Sequence, residues 1–297
     1  MPSREHEQMV ELFRARPVSL DAPVEQSRAL FEQISFLFPV PSDVRTERVE
    51  IGELHAEWVR APESRADRTL LYLHGGGYMM GSLNTHRELV ARLARALGAS
   101  ALHVDYRLAP ENPFPAAVED ASAAYRWLLA NGRAPGSIAI AGDSAGGGLA
   151  LATLLALRDA GEPLPGACFC LSPWTDLEGT GNSARPGAVD DPMLGDGSAI
   201  RATGELYLAG VDPRTPLASP LHGDFTGLPP LLLLVGTREV LLDDSTRLAE
   251  HARAAGVDVE VEVWEDLIHV WPFFGPEMPE ARNAIALIAE FVRKHLG

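Results

Sequence analysis

Gly142-Asp143-Ser144-Ala145-Gly146 joins a short β-prone run, residues 137–141, to a helix-prone run beginning at Gly147. A serine in a G-x-S-x-G turn between strand and helix is a nucleophile elbow. The chain reverses so sharply there that larger neighbours would collide, and the hydroxyl is lifted out of the turn. The N–H of Ala145 lies beside it at a helix N-terminus, whose partial positive charge suits an oxyanion. Upstream, residues 69–73 read as a buried strand that runs into His74-Gly75-Gly76-Gly77-Tyr78. Three glycines let the backbone aim its N–H groups at a ligand. Acyl transfer needs such donors because negative charge collects on the carbonyl oxygen in the tetrahedral intermediate. Gly76, Gly77 and Ala145 are therefore the candidate oxyanion hole. A phosphate cradle is the competing reading of the loop, but no Lys-Ser/Thr pair follows it and there is no G-x-G-x-x-G.

Four motifs stand in order along the chain: His74-Gly75-Gly76-Gly77, Tyr106-Arg107-Leu108-Ala109-Pro110-Glu111, Phe114-Pro115-Ala116-Ala117-Val118-Glu119-Asp120 and Gly142-Asp143-Ser144-Ala145-Gly146-Gly147. With them the chain resembles the bacterial hormone-sensitive lipase family of α/β-hydrolases, in its GDSAG branch, over nearly its whole length. The resemblance implies a carboxylic ester hydrolase with a helical cap, no metal and no cofactor. It also implies a homodimer formed through the edge strand of the sheet.

A serine is a poor nucleophile until a positioned base takes its proton, and in this fold the order is nucleophile, acid, histidine. Of the nine histidines, His251 sits in a helical pattern, His295 is beside the C-terminus and His222 precedes the strand that should carry the acid. His269 remains, in a loop after the strand 257–264, at the end of a strand where α/β sites are built. After the strand 231–235, Glu239, Asp243 and Asp244 offer carboxylates. The family's pattern here is an aspartate two residues before a leucine and four before a second aspartate. Glu239, Leu241 and Asp243 fill those places, so the matching acid is a glutamate, a departure whose extra methylene changes its approach to His269. Asp243 and Asp244 also read as N-cap and first-turn residues of a helix beginning at 244. The expected triad is Ser144, Glu239 and His269. Tyr106, Arg107 and Glu111 read as scaffold, with Arg107 pairing with Glu119 or Asp120, and His74 as fixing its loop by a hydrogen bond.

Two other classes use the same framework. One is a non-catalytic small-molecule binder, as in the plant gibberellin receptors, which resemble the family without its histidine. The other is an amide or formamide hydrolase on the same triad. His269 and an intact elbow weigh against the first.

The alternation of short apolar runs with longer helical patterns predicts a mostly parallel sheet with helices on both faces. Eight strands are expected near 48–50, 56–59, 70–73, 100–104, 138–141, 168–171, 231–235 and 257–264. Helices are expected over 85–97, 116–130, 145–160, 244–255 and 279–295. Two segments fall outside the alternation: the N-terminal residues 4–38 and the Pro/Gly-rich residues 179–227, with a helix at 198–209. The expected organisation is an N-terminal cap segment, 1–45, and a catalytic α/β-hydrolase domain, 46–297, with 179–227 as a second cap insertion. Phe13, Leu30, Phe31, Phe36, Leu37 and Phe38 carry more apolar surface than a solvated tail would, so the arm is read as packing on the core or closing over the nucleophile.

Composition bounds the partners. With 297 residues, 46% hydrophobic content and no apolar run long enough to cross a bilayer, the chain fits one large globular domain without stable membrane insertion. A net charge of −16 and a pI near 4.9 argue against nucleic acid or an anionic membrane. The N-terminus, Met1 to Glu7, is polar and lacks the apolar core of a secretory signal, so the expected placement is cytoplasmic. Cys168 and Cys170, two apart on one strand face, read as reduced packing residues. Val257, Val259, Val261 and Val263 alternate with Asp258, Glu260, Glu262 and Trp264, as on a half-exposed edge strand. Such an edge invites pairing with a second copy, although its carboxylates would then face their counterparts.

Overall fold

The computed structural model describes residues 1–15 and 23–296. Among them, one eight-stranded sheet contains β1 (Arg45–Ile51), β2 (Leu54–Arg60), β3 (Arg65–Leu73), β4 (Ala99–Asp105), β5 (Ile138–Asp143), β6 (Ala167–Leu171), β7 (Leu231–Gly236) and β8 (Val259–Trp264). The order across it is β1-β2-β4-β3-β5-β6-β7-β8. β2 pairs antiparallel with β1 and β4, and every pairing beyond β4 is parallel. The α-helices are α1 (Arg4–Ala15), α2 (Val24–Glu32), α3 (Leu83–Leu97), α4 (Ala116–Ala130), α5 (Ala145–Asp159), α6 (Gly197–Leu208), α7 (Leu242–Ala254) and α8 (Pro279–His295).

Successive strand residues point to opposite sides of the sheet, so strands buried on both faces feed two cores. Leu71 and Leu73 of β3, Cys168 and Cys170 of β6, and Leu231 and Leu233 of β7 join the core that includes α4, α5 and α7. Leu70, Tyr72, Phe169, Leu171, Leu232 and Leu234 join the other, with α3 and α8. Cys168 and Cys170 are free and buried, on one face, with their sulfurs 3.7 Å apart.

The element ends move for local reasons. Helix α3 starts at Leu83, two residues before the expected 85, because Ser82 Oγ accepts from the N–H of Asn84 and Thr85 while Thr85 Oγ1 accepts from Ser82 N–H. Strand β8 starts two residues late, because Val257 N–H still bonds to Ala252 O at the end of α7. Helix α7 starts at Leu242 and its N-cap is Leu241, which corrects the N-cap reading, while Asp243 and Asp244 both fall in its first turn as expected.

The N-terminal arm divides in two. α1 packs on the sheet domain: His6 and Val10 are buried, Phe13 meets Phe274 at 5.4 Å between ring centres, and Ser3 Oγ donates to Glu280 of α8. Across α2, the 3-10 turn Gln33–Phe36 and the two residues after it, Phe31, Ile34 and Phe38 are partly buried, whereas Leu30, Phe36 and Leu37 are exposed. This corrects the expectation that all six apolar residues of the arm are covered: a thin arm has one covered side only. Residues 16–22 of the arm and Gly297 lie outside the described residues. No helix among the described residues is long and apolar enough to cross a membrane.

Candidate active site

Ser144 follows β5 and precedes α5 with φ 52° and ψ −121°, a left-handed φ that the sharp reversal imposes. Its N–H donates to Leu171 O (2.8 Å) and its carbonyl accepts from Trp174 N–H (2.9 Å), so the turn is held from β6. A Cβ on Gly146 would come within 2.1 Å of Leu73 O, which is why the position after Ala145 must be glycine.

The loop after β3 lies against this turn. Asp143 is buried and accepts from Tyr72 Oη (2.8 Å) and from Gly75 N–H (3.0 Å), tying the elbow to the glycine loop. Gly76 has φ 122°, and a Cβ there would meet Met80 O at 2.2 Å. His74 bonds through Nδ1 to Gly75 O (2.9 Å) and stacks on Tyr106, whose hydroxyl donates to His74 O. Burial lowers the His74 pKa to about 3, so the ring stays neutral and structural.

Beyond the ends of β7 and β8, His269 Nδ1 and Glu239 Oε2 meet at 2.8 Å, both buried. A carboxylate only accepts, so Nδ1 carries the proton and Nε2 is left able to accept one. Burial raises the Glu239 pKa. Burial would lower that of His269, but the hydrogen bond and charge of Glu239, with Asp191 and Asp143 nearby, raise it overall. Ser144, His269, Gly76 and Gly77 all line one cavity of about 140 Å³. Its other walls include Phe31 and Ile34 of the arm, Ile200 and Thr203 of α6, Trp174, and Phe273. Ala145 is buried behind the wall, where only its backbone N–H at the first position of α5 is relevant to an oxyanion. The other late histidines are elsewhere: His251, on α7, bonds to Leu221 O, His222 lies near Asp176, and His295 ends α8.

The comparisons with known proteins fall on the same frame. A family model described as the alpha/beta hydrolase fold matches residues 70–273. An acetyl-hydrolase of Streptomyces hygroscopicus is 48% identical over 301 residues, covering 100% of this chain and 99% of that one. An esterase of Acinetobacter venetianus is 37% identical over 276 residues, with 93% and 90% covered. Among solved structures, an esterase from the bacterial hormone-sensitive lipase family has a TM-score of 0.96 at 49% identity, with all of both chains covered. The chain belongs to this family of α/β-hydrolases. Another structure, of EstE5 soaked by p-nitrophenyl butyrate, has a TM-score of 0.94 at 46% identity, with 99% of each chain covered.

Several supports of this hydrolase site carry no motif. Arg28 of α2 donates to Met79 O (2.7 Å), to Ala109 O (2.9 Å) and to both oxygens of Glu111, fastening the arm to the end of the glycine loop. Glu111, read as scaffold, is thus the partner of an arm residue, while Arg107 pairs with both Asp120 and Glu119. His6 Nε2 accepts from Ile268 N–H (3.3 Å), so α1 props the loop of His269. Asp191 accepts from the N–H groups of Met193, Leu194 and Val240, joining a cavity wall to the loop of Glu239. On α6, Tyr207 stacks on Tyr78 with centres 3.8 Å apart, directly after Gly77. Of these supports, the sequence motifs marked only Arg107, Glu111, Glu119 and Asp120, and Tyr207 only as part of the expected helix 198–209; Arg28, His6 and Asp191 carried no signal.

Asp243 and Asp244 turn away from His269. Asp243 accepts from the N–H of Asn182 and Ser183, and Asp244 from those of Thr175 and Asp176. Asp243 anchors the insertion to α7 and Asp244 the segment that leads into it, roles that helix-start chemistry alone does not reveal. Asp176, Glu178 and His222 are the one group of possible metal ligands among the described residues. Arg247 and Thr180 already satisfy Asp176, and Arg214 pairs with Glu178, so the cluster is an ion-pair network.

Proposed function

We propose that this chain, a carboxylic ester hydrolase, cleaves short- to medium-chain esters through an acyl-enzyme on Ser144. The observation that carries the reading is one cavity bounded by Ser144, His269 and the Gly76–Gly77 backbone, with Glu239 behind His269. His269 Nε2 takes the Ser144 proton, Ser144 Oγ attacks the ester carbonyl, and the N–H groups of Gly76, Gly77 and Ala145 hold the oxyanion. Glu239 orients the ring and stabilises its imidazolium form. His269 then protonates the leaving alcohol, and water repeats the sequence to free the acid. Phe31 and Ile34 of the arm would act as a lid over this cavity.

Its volume, about 140 Å³, is below the roughly 300–1,000 Å³ of drug-sized ligand sites, which favours small acyl groups. Soluble p-nitrophenyl butyrate should be hydrolysed faster than a long-chain triglyceride emulsion, and faster than an aryl formamide. Faster turnover of the emulsion overturns the chain-length reading. Preference for the formamide moves the protein to the amide hydrolases, and binding without turnover to the non-catalytic homologues.

The same reading includes assembly. Among the described residues β8 ends the sheet with an unpaired edge, and Val263 is exposed on it. Antiparallel pairing with the β8 of a second copy would satisfy its free N–H and C=O groups. Like charges across the pair oppose this, but Lys294 Nζ sits 2.7 Å from Glu260, offsetting one of them. Sedimentation at micromolar concentration and moderate salt should give the mass of two chains. A mass of one chain overturns the dimer.

A further inference from the structure

Glu239 stands where the family pattern has a shorter aspartate, so its longer side chain must be held by something else. Its buried carboxylate uses Oε2 for His269 and leaves Oε1 to accept from Ser172 Oγ (2.8 Å) and Gly236 N–H (2.5 Å). Ser172 Oγ in turn accepts from Val270 N–H (3.1 Å), the residue after His269. Ser172 follows β6 with φ 48°, and its own N–H donates to Leu234 O of β7 (2.7 Å), so its backbone is fixed between β6 and β7, the strand that leads into the acid loop. Val270 also has a left-handed φ, 49°, which costs a β-branched residue and persists only where neighbours hold it.

Resting on the acyl-enzyme reading above, we propose that Ser172 is a positioning residue for the reaction, its one hydroxyl holding the Glu239 carboxylate and the backbone of the His269 loop in register. It touches no reacting atom and works through Glu239 and His269. A bond to an ionised group is stronger than a neutral one, and both partners of Ser172 Oγ are buried, so no water replaces it cheaply.

The test compares Ser172→Ala with Ser172→Gly on p-nitrophenyl butyrate over a pH range. Glycine removes the hydroxyl while accepting the left-handed backbone, so it separates loss of the bond from loss of the fold. Both variants should lose about 10- to 100-fold in kcat with KM within twofold. The ascending pH limb should also move. Its wild-type position is set by His269 with Glu239, Asp191 and Asp143 around it, and a Glu239 charge with one donor fewer attracts the His269 proton more strongly. The limb should shift upward by about half a pH unit or more. Wild-type kcat in either variant, or a loss with an unmoved limb, overturns the proposal. Failure of the reading beneath it looks different: the unmutated chain would then be inactive on the ester, or Ser144→Ala would remain active.

Discussion

Ser144→Ala should lower kcat for p-nitrophenyl butyrate on the order of a million-fold, while the melting temperature stays within about two degrees of the parent. On the proposed acyl-enzyme route, the activity loss follows from removing the nucleophile of a unit whose members act together. Stability should survive because the hydroxyl makes no hydrogen bond among the described residues, and the interactions that hold the turn are backbone ones, to Leu171 and Trp174. The left-handed backbone at φ 52° burdens alanine as it burdens serine, so the strain cancels in the comparison. More than a few per cent residual activity in pure variant protein would sink the serine mechanism. A fall of ten degrees would instead show that the elbow needs the hydroxyl to fold.

Strain of this kind collects at the site: Tyr78, Ser144, Ser172 and Val270 are four of the six non-glycine residues with positive φ among those described. Each costs of the order of 1–3 kcal/mol, and each is held by a bond or stack from another element. The cavity is therefore assembled from segments far apart in the chain, and that decides what a sequence can tell. The turns themselves were legible, because G-x-S-x-G and the three-glycine loop are local consequences of crowding. The two-core sheet was legible because its central strands are continuous apolar runs, and α4 and α8 match their expected limits. His269 stood out by its place after a strand. What was not legible depends on a partner with no periodic signal: Arg28 reaching Glu111, His6 accepting from Ile268, and Asp243 turning from α7 to the backbone at 182–183. A carboxylate at a helix start has the same sequence signature whether it caps that helix or bonds to a distant loop. The arm divided for a similar reason, since six apolar residues give the amount of surface to cover and not the side from which cover comes.

The choice of acid makes the sharpest distinction left. Glu239→Gln should cut kcat by about a thousand- to ten-thousand-fold, whereas Asp243→Asn should change it only a few-fold and lower the melting temperature by a few degrees. The difference lies in what each amide must face. Glu239 accepts at both oxygens, from His269 on one side and from Ser172 and Gly236 on the other. A glutamine offers one oxygen and one NH2 group, so one side always meets a donor. If the NH2 faces Gly236, a buried backbone N–H is left against another N–H and cannot rotate away. If it faces His269, the ring must accept at Nδ1 and carry its proton at Nε2, the tautomer that cannot take the Ser144 proton. Asp243 instead accepts two backbone N–H groups, from Asn182 and Ser183, through a single oxygen, Oδ2, which asparagine retains. Only the charge is lost there, and with it part of the insertion's hold on α7. Equal losses in kcat would mean that the insertion positions the base as well. The reverse ranking would move the acid to Asp243, and His269 would then need a partner 2.8 Å away that the present Glu239 contact already occupies.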